Sequence, residues 1–247
     1  MLQKIVGAIP QNLKNNVLYA NVKAVYTKLL MSRVSSLYDE YKNLKQGFED
    51  YHKGERIFIM GTGPSLNKTP LHLLKNECVM GVNTLYRANV PCKYYVVSDS
   101  VLFAKYWRCI YHQPCHIFLT SSAGFEYLAR IRKYYKNRSG WYVIPYRSDI
   151  EVESVIVACI DLALFMGFSE IYLVGCDFDY SGAEEHFDGS KVTTKTMAYI
   201  TGDFTSIFDT LKWLDHIANH QHQRIYNATV GGKLEVFRRK TLEEILH

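Results

Sequence analysis

The sequence predicts an α/β protein with a mainly parallel sheet and helices on both faces, and three observations predict it. From residue 56 onward, short apolar runs rich in β-branched and aromatic residues alternate with helical patterns. Those runs are apolar almost throughout, as strands buried on both faces are. The first of them, Arg56-Ile57-Phe58-Ile59-Met60, passes at once into Gly61-Thr62-Gly63-Pro64-Ser65, a strand-to-helix glycine turn of the Rossmann-like kind.

Taken in order, residues 13 to 50 place Leu18, Val22, Val25, Leu29, Leu30, Val34, Leu37, Tyr41, Leu44 and Phe48 at helical spacing. This predicts one long amphipathic helix, or two. Such an element packs on the core, pairs with another subunit or lies on a membrane surface. His52-Lys53-Gly54-Glu55 breaks it, so residues 1–52 read as a helical extension and 53–247 as the nucleotide-binding domain. The expected strands are 56–60, 78–82, 94–98, 116–120, 141–145 and 170–175. The expected helices are 68–76, 100–111, 123–136, 152–166 and 205–221.

The bulk composition removes several classes. With 247 residues, 48% hydrophobic and 21% charged, the chain can fill one core with an appendage. A net charge of +5 is modest and no long basic run appears, so nucleic acid is not an expected partner. Cys78, Cys92, Cys109, Cys115, Cys159 and Cys176 form no Cys-x-x-Cys pair and lie within or beside apolar runs, which fits reduced thiols rather than zinc or disulfides. Polar residues 11–16 interrupt the first apolar stretch, and no run approaches eighteen apolar residues. The expected location is the cytoplasm, with peripheral contact to the inner membrane through the amino-terminal helix as an option.

In a parallel sheet, ligands sit at the carboxyl ends of the strands, where strand order reverses. After the expected strands come Gly61 to Ser65, Asn83, Ser98-Asp99-Ser100, Thr120-Ser121-Ser122 and Gly175-Cys176-Asp177-Phe178-Asp179. Neutral hydrogen-bonding groups dominate, which suits a sugar or nucleoside. The glycine turn lets backbone N–H groups approach an anion at the start of a helix. Yet the dinucleotide fingerprint would need glycine at Leu66 and an acid at Asn83, and no Gly-Lys-Ser/Thr follows Gly61 to make a P-loop. A plain tight turn capped by Ser65 or Asn67 is the alternative.

Asp177 and Asp179 lie two apart after a strand; if the strand continues, both face one way and can grip a divalent ion, Mg²⁺ or Mn²⁺. Otherwise Asp177 holds turn N–H groups and Asp179 is solvated. No organic cofactor is expected. His186 stands in the following loop, where an imidazole can take a proton from a hydroxyl. His216, His220 and His222 read as helix-end residues. Tyr146, Arg147 and Lys195 are further phosphate partners to consider.

With Gly61-Thr62-Gly63-Pro64-Ser65-Leu66, Gly81-Val82-Asn83, Ile171-Tyr172-Leu173-Val174-Gly175-Cys176-Asp177-Phe178 and Asn227-Ala228-Thr229-Val230-Gly231-Gly232 in view, the chain from about residue 50 resembles the 6-hydroxymethylpterin diphosphokinase MptE-like family. More distantly, its nucleotide half is similar to bacterial lipooligosaccharide sialyltransferases. The resemblance implies that Gly61, Gly63, Ser65, Asn83 and Ser98 line a nucleotide; Thr62, Asp99 and Gly175 join them by their places at the strand ends, and Asp177 and His186 are the candidates for catalysis by their positions after the same strand. It departs from the sialyltransferases at Ser154-Val155-Ile156 and at Asp179, which stands where they carry tyrosine; His186 matches the His-Phe of the MptE-like pattern. The implied function is a nucleotide-sugar glycosyltransferase acting on a glycan or lipid-linked glycan in surface-polysaccharide assembly. The alternatives are diphosphate transfer from ATP to a pterin-like hydroxymethyl group, and a non-catalytic nucleotide-sugar-binding protein.

Overall fold

The apolar run Arg56–Met60 forms β1, and everything else in the sheet is arranged around it. The structure is a computed structural model that describes residues 44–120, 141–144, 154–179, 185–189 and 203–247. The chain divides into two compact units, Met1–Asn43 and Leu44–His247, of which the first lies outside the described residues. So do most of the expected amino-terminal helix and all of the expected helix 123–136. The last turn of the former, residues 44–48, is helical, and its Leu44 and Phe48 are buried in the core of the second unit.

Alongside β1 lie β2 (Val79–Val82), β3 (Tyr94–Val97), β4 (His116–Thr120), β5 (Trp141–Ile144), β6 (Glu170–Val174), β7 (Arg224–Asn227) and the two-residue β8 (Arg238–Arg239). Their order is β5-β4-β3-β2-β1-β6-β7-β8, and every pair is parallel. Six of these strands match the expected ones to within a residue at each end. The sheet grows outward from β1 to β5 on one side, then resumes at β6 on the other side of β1. Strand order therefore reverses between β1 and β6, with Met60 paired to Val174 at the carboxyl ends.

Alternation along the strands builds two cores. Ile57, Ile59, Met80, Val82, Ile171 and Leu173 face one side, where they meet helices α2 (Val155–Phe165) and α3 (Thr205–His220). Phe58, Met60, Val79, Tyr95, Tyr172 and Val174 face the other, against α1 (Ser100–Tyr111) and the short α4 (Leu242–Leu246). Eight apolar residues of α2 are buried, which follows from its nearly uniform apolar sequence. Helix α1 starts where Asp99 caps it by accepting from Leu102 N at 2.9 Å, and α2 where the Ser154 hydroxyl accepts from Ile156 N.

The expected helix 68–76 is absent. Pro64 and Pro70 break the segment into two 3₁₀ turns, Pro64–Lys68 and Leu71–Leu74, because a proline inside a helix removes a donor and clashes with the preceding turn. No helix among the described residues is long and apolar enough to cross a membrane.

Candidate functional site

At the β1/β6 reversal three loops stack on one another. The first is the glycine turn, whose glycines are required for space. Gly61 N–H donates to Val174 O at 2.8 Å, Gly63 N–H to Gly175 O at 2.9 Å and Leu66 N–H to Gly63 O at 3.2 Å. Gly63 has φ −67°, which any residue adopts, but a Cβ there would overlap the Asp177 carboxylate and come within 2.8 Å of Gly175 O. A Cβ at Gly61 would likewise collide with Gly175 O. This revises the reason for the motif: its glycines let the β1 turn lie flat on the β6 turn, and most of its N–H groups are consumed in doing so. Among the described residues, the Thr62 N–H is the one member of the turn left for a ligand.

The second loop follows β6. Asp177 accepts from Ser65 N at 3.2 Å and from the Ser65 hydroxyl at 2.7 Å, which ties it to the glycine turn. Ser65 and Gly175 are thus structural members of the site: Ser65 is buried, and a Cβ at Gly175 would strike Leu66. The third loop comes from the tail. The Thr229 hydroxyl accepts from Cys176 N at 3.0 Å, Lys233 N–H donates to Asp177 O at 2.7 Å, and Gly232 lies so close to the Asp177 main chain that a Cβ would come within 2.7 Å of its oxygen. Arg239 holds this loop by donating to the carbonyls of Thr229, Gly231 and Gly232. The tail motif entered the sequence reading only through the family resemblance; its partners lie about fifty residues away in sequence, so no local spacing points to them.

Strand alternation does not carry through Asp177 and Asp179. Strand β6 ends at Val174, and Phe178 sits at φ 48°, which turns the chain between the two carboxylates. Asp177 faces Ser65, whereas Asp179 pairs with Lys233 Nζ at 2.9 Å. Among the described residues no group of three or more His, Cys, Asp or Glu is arranged to hold a metal ion. The two carboxylates have different partners rather than the common direction that alternation predicts.

His186 is brought to the glycine turn. Its Nδ1 lies 3.1 Å from the Thr62 hydroxyl, and the next residue, Phe187, donates its N–H to Thr62 O at 2.9 Å. Asn67 adds a bond to Phe187 O at 3.0 Å. Residues 186–189 form a turn closed by Gly189 N to His186 O at 3.0 Å, so His186 rides on a strap docked over the glycine turn. Asn83, after β2, is left-handed at φ 47°, with its N–H on Val96 O and its carbonyl accepting from the Tyr95 hydroxyl. Its side-chain Oδ1 is buried with no partner among the described residues. A buried acceptor of this kind is costly unless a ligand donor meets it.

Ser98 and Asp99 follow β3 at the same carboxyl edge of the sheet, two strands from β1, and Asp99 serves as the α1 cap. His216 and His220 touch each other at the end of α3, which leads into the start of β7 and so belongs to the opposite edge of the sheet. Tyr146, Arg147 and Lys195 lie outside the described residues.

Burial pushes the Asp177 carboxyl above its ordinary value; the Ser65 bonds oppose this without cancelling it, and the Asp179 charge adds to it. A raised folded value means that ionisation weakens the fold. The contribution is fully present below the ordinary value of 3.8 and is lost as pH rises through the folded value. Asp177→Asn removes this titration. The melting temperature of the variant relative to wild type should therefore rise as pH increases from about 4 and then level off. A difference that stays constant with pH would refute the assignment.

No family model matches the chain, and neither a curated protein nor a solved structure matches it. What stands is the architecture: a Rossmann-like α/β unit with three loops packed together at its strand-order reversal.

Proposed function

We propose that these strand-end loops bind a nucleotide sugar and that the chain transfers the sugar to a hydroxyl of a glycan or lipid-linked glycan. The observation that carries the reading is His186, docked by its strap over the glycine turn at the position where parallel sheets hold nucleotides. In the tautomer that donates Nδ1–H to the Thr62 hydroxyl, Nε2 keeps a lone pair and can accept a proton. The acceptor oxygen then bonds to the anomeric carbon, the bond from that carbon to the phosphate oxygen breaks, and the acceptor proton passes to His186 Nε2. The Thr62 N–H is placed to meet charge on the departing phosphate. Asn83 Oδ1 offers an acceptor to a ribose hydroxyl or a base amine.

The surroundings favour this over diphosphate transfer. A triphosphate needs strong compensation of charge, yet two described cations beside these loops are already matched: Lys233 with Asp179, and Arg87 with Asp188. The hydroxyls and amides that remain suit a sugar or nucleoside. Cytoplasmic nucleotide sugars would supply the reaction, which places it on the inner side of the membrane.

A melting screen with CMP, UDP, GDP, ATP and a hydroxymethylpterin, with and without Mg²⁺, tests the reading. A ligand at one hundred times its Kd adds about 2.7 kcal/mol of stability. Stabilisation by CMP, UDP or GDP, followed by release of that nucleotide from its sugar conjugate, is the expected result. Stabilisation by ATP and pterin alone would move the assignment to the diphosphokinase. Binding without turnover of any conjugate would leave a binding protein.

A further inference from the structure

Arg87 lies in a 3₁₀ turn, Leu85–Ala88, directly after Asn83-Thr84 at the end of β2. Its own position is fixed: its N–H bonds to Thr84 O at 3.1 Å, and the neighbouring Tyr86 N–H bonds to the Tyr95 hydroxyl at 3.0 Å. The guanidinium packs on the Tyr106 ring of α1 at 4.8 Å and lies 5.7 Å from the Tyr86 ring. From there it pairs with the Asp188 carboxylate, 101 residues away on the His186 strap.

This ion pair differs from an ordinary surface pair. The Asp188 side chain is only 11% exposed and that of Arg87 31%, so the carboxylate end of the pair is sheltered while the guanidinium still meets solvent. An arginine packed against two neighbouring aromatic rings has given up part of its rotamer freedom already, so the pair costs less further ordering. Asp188 occupies the third position of the turn that begins at His186, and a shift of one moves the other. Among the described residues, Phe187 to Thr62 and Asn67 to Phe187 attach the strap on the β1 side. Arg87 adds an anchor on the β2 side, and anchors on two sides fix the strap's angle better than anchors on one.

We infer that Arg87 is a positioning residue for His186, setting the direction of the imidazole by clamping Asp188 from the β2 wall. The inference rests on the reading of His186 as the base. In Arg87→Ala the strap stays attached to Thr62 but turns, and a displacement near 1 Å lowers kcat by roughly 10- to 100-fold. Donor affinity is unchanged, because the β1/β6 loops do not depend on the clamp.

Two measurements on the full chain test it. The first needs no substrate: exchange of the Phe187 amide, followed by NMR, should be about tenfold faster in Arg87→Ala and Asp188→Asn, and close to wild type in Arg87→Lys, which keeps the charge. The second is release of nucleotide from CMP-sialic acid and from UDP-sugars. Arg87→Ala should slow release in the wild-type background and have no further effect in a His186→Ala background. Wild-type exchange in both Arg87→Ala and Asp188→Asn would overturn the clamp. An equal loss in both backgrounds would show that Arg87 acts other than through His186, and overturns the positioning role. If His186→Ala alone keeps full turnover, the base reading fails and the positioning role with it, while the exchange data still decide whether Arg87 holds the strap.

Discussion

Gly63→Val is expected to unfold at a clearly lower temperature than the wild-type chain. On sequence alone the same change should abolish nucleotide binding and leave the fold intact, because a branched side chain would only cover an anion site. The structure moves the cost into the fold. A Cβ at residue 63 falls on the Asp177 carboxylate, within 2.6 Å of its Cγ and 2.8 Å of Gly175 O, so Asp177 must rotate away or the two turns must separate. Rotation breaks the bonds from Ser65 N and Oγ, and separation breaks Gly63 N to Gly175 O. Either route leaves buried polar groups unmatched, at a cost of about 2–4 kcal/mol. For a unit of this size that lowers the melting temperature by roughly 5–15 °C. Gly63→Ala with Asp177→Ala should recover part of the loss of Gly63→Ala alone, since the double variant removes one of the colliding groups. A Gly63→Val chain that melts with wild type would refute the packing role.

What local sequence could show here was whatever repeats over short spans. Strand β1 is legible because Ile57 and Ile59 face one core and Phe58 and Met60 the other, which makes an apolar run in the chain itself. Strand β7, Arg-Ile-Tyr-Asn, was not, because half of its residues are polar and it follows α3 with only a few residues between. Strand β8 is two arginines and has no pattern to read. In the site, position was legible and partnership was not. The strand ends point to Gly61, Asn83 and Gly175 as members of one edge of the sheet, yet Ser65 and Asp177 are separated by 112 residues, and nothing in either segment marks them as a pair. The alternation argument for Asp177 and Asp179 assumed that β6 continues. The strand stops at Val174, where Gly175 turns left-handed at φ 67°, and the left-handed Phe178 turns the chain again between the two aspartates.

His186→Ala should lower kcat by a factor on the order of 10² to 10⁴ while sparing donor affinity. The separation follows from how the strap is held. Phe187 keeps its main-chain bond to Thr62, Asn67 its bond to Phe187 O, and Arg87 its pair with Asp188, and none of these uses the imidazole. Truncation therefore removes one ring and leaves the strand-end loops in place; the Thr62 hydroxyl exchanges its imidazole neighbour for water. Only the step in which the acceptor loses its proton is affected, so the loss belongs in kcat and not in binding. Added imidazole should restore part of the rate, because the vacated space above Thr62 matches the missing ring and small bases can enter it. His186→Gln, which keeps a hydrogen-bonding group near Thr62 but cannot take a proton at neutral pH, should be as slow as His186→Ala. Turnover near wild type in either variant would reject His186 as the base and leave it as a strap residue that merely touches the glycine turn.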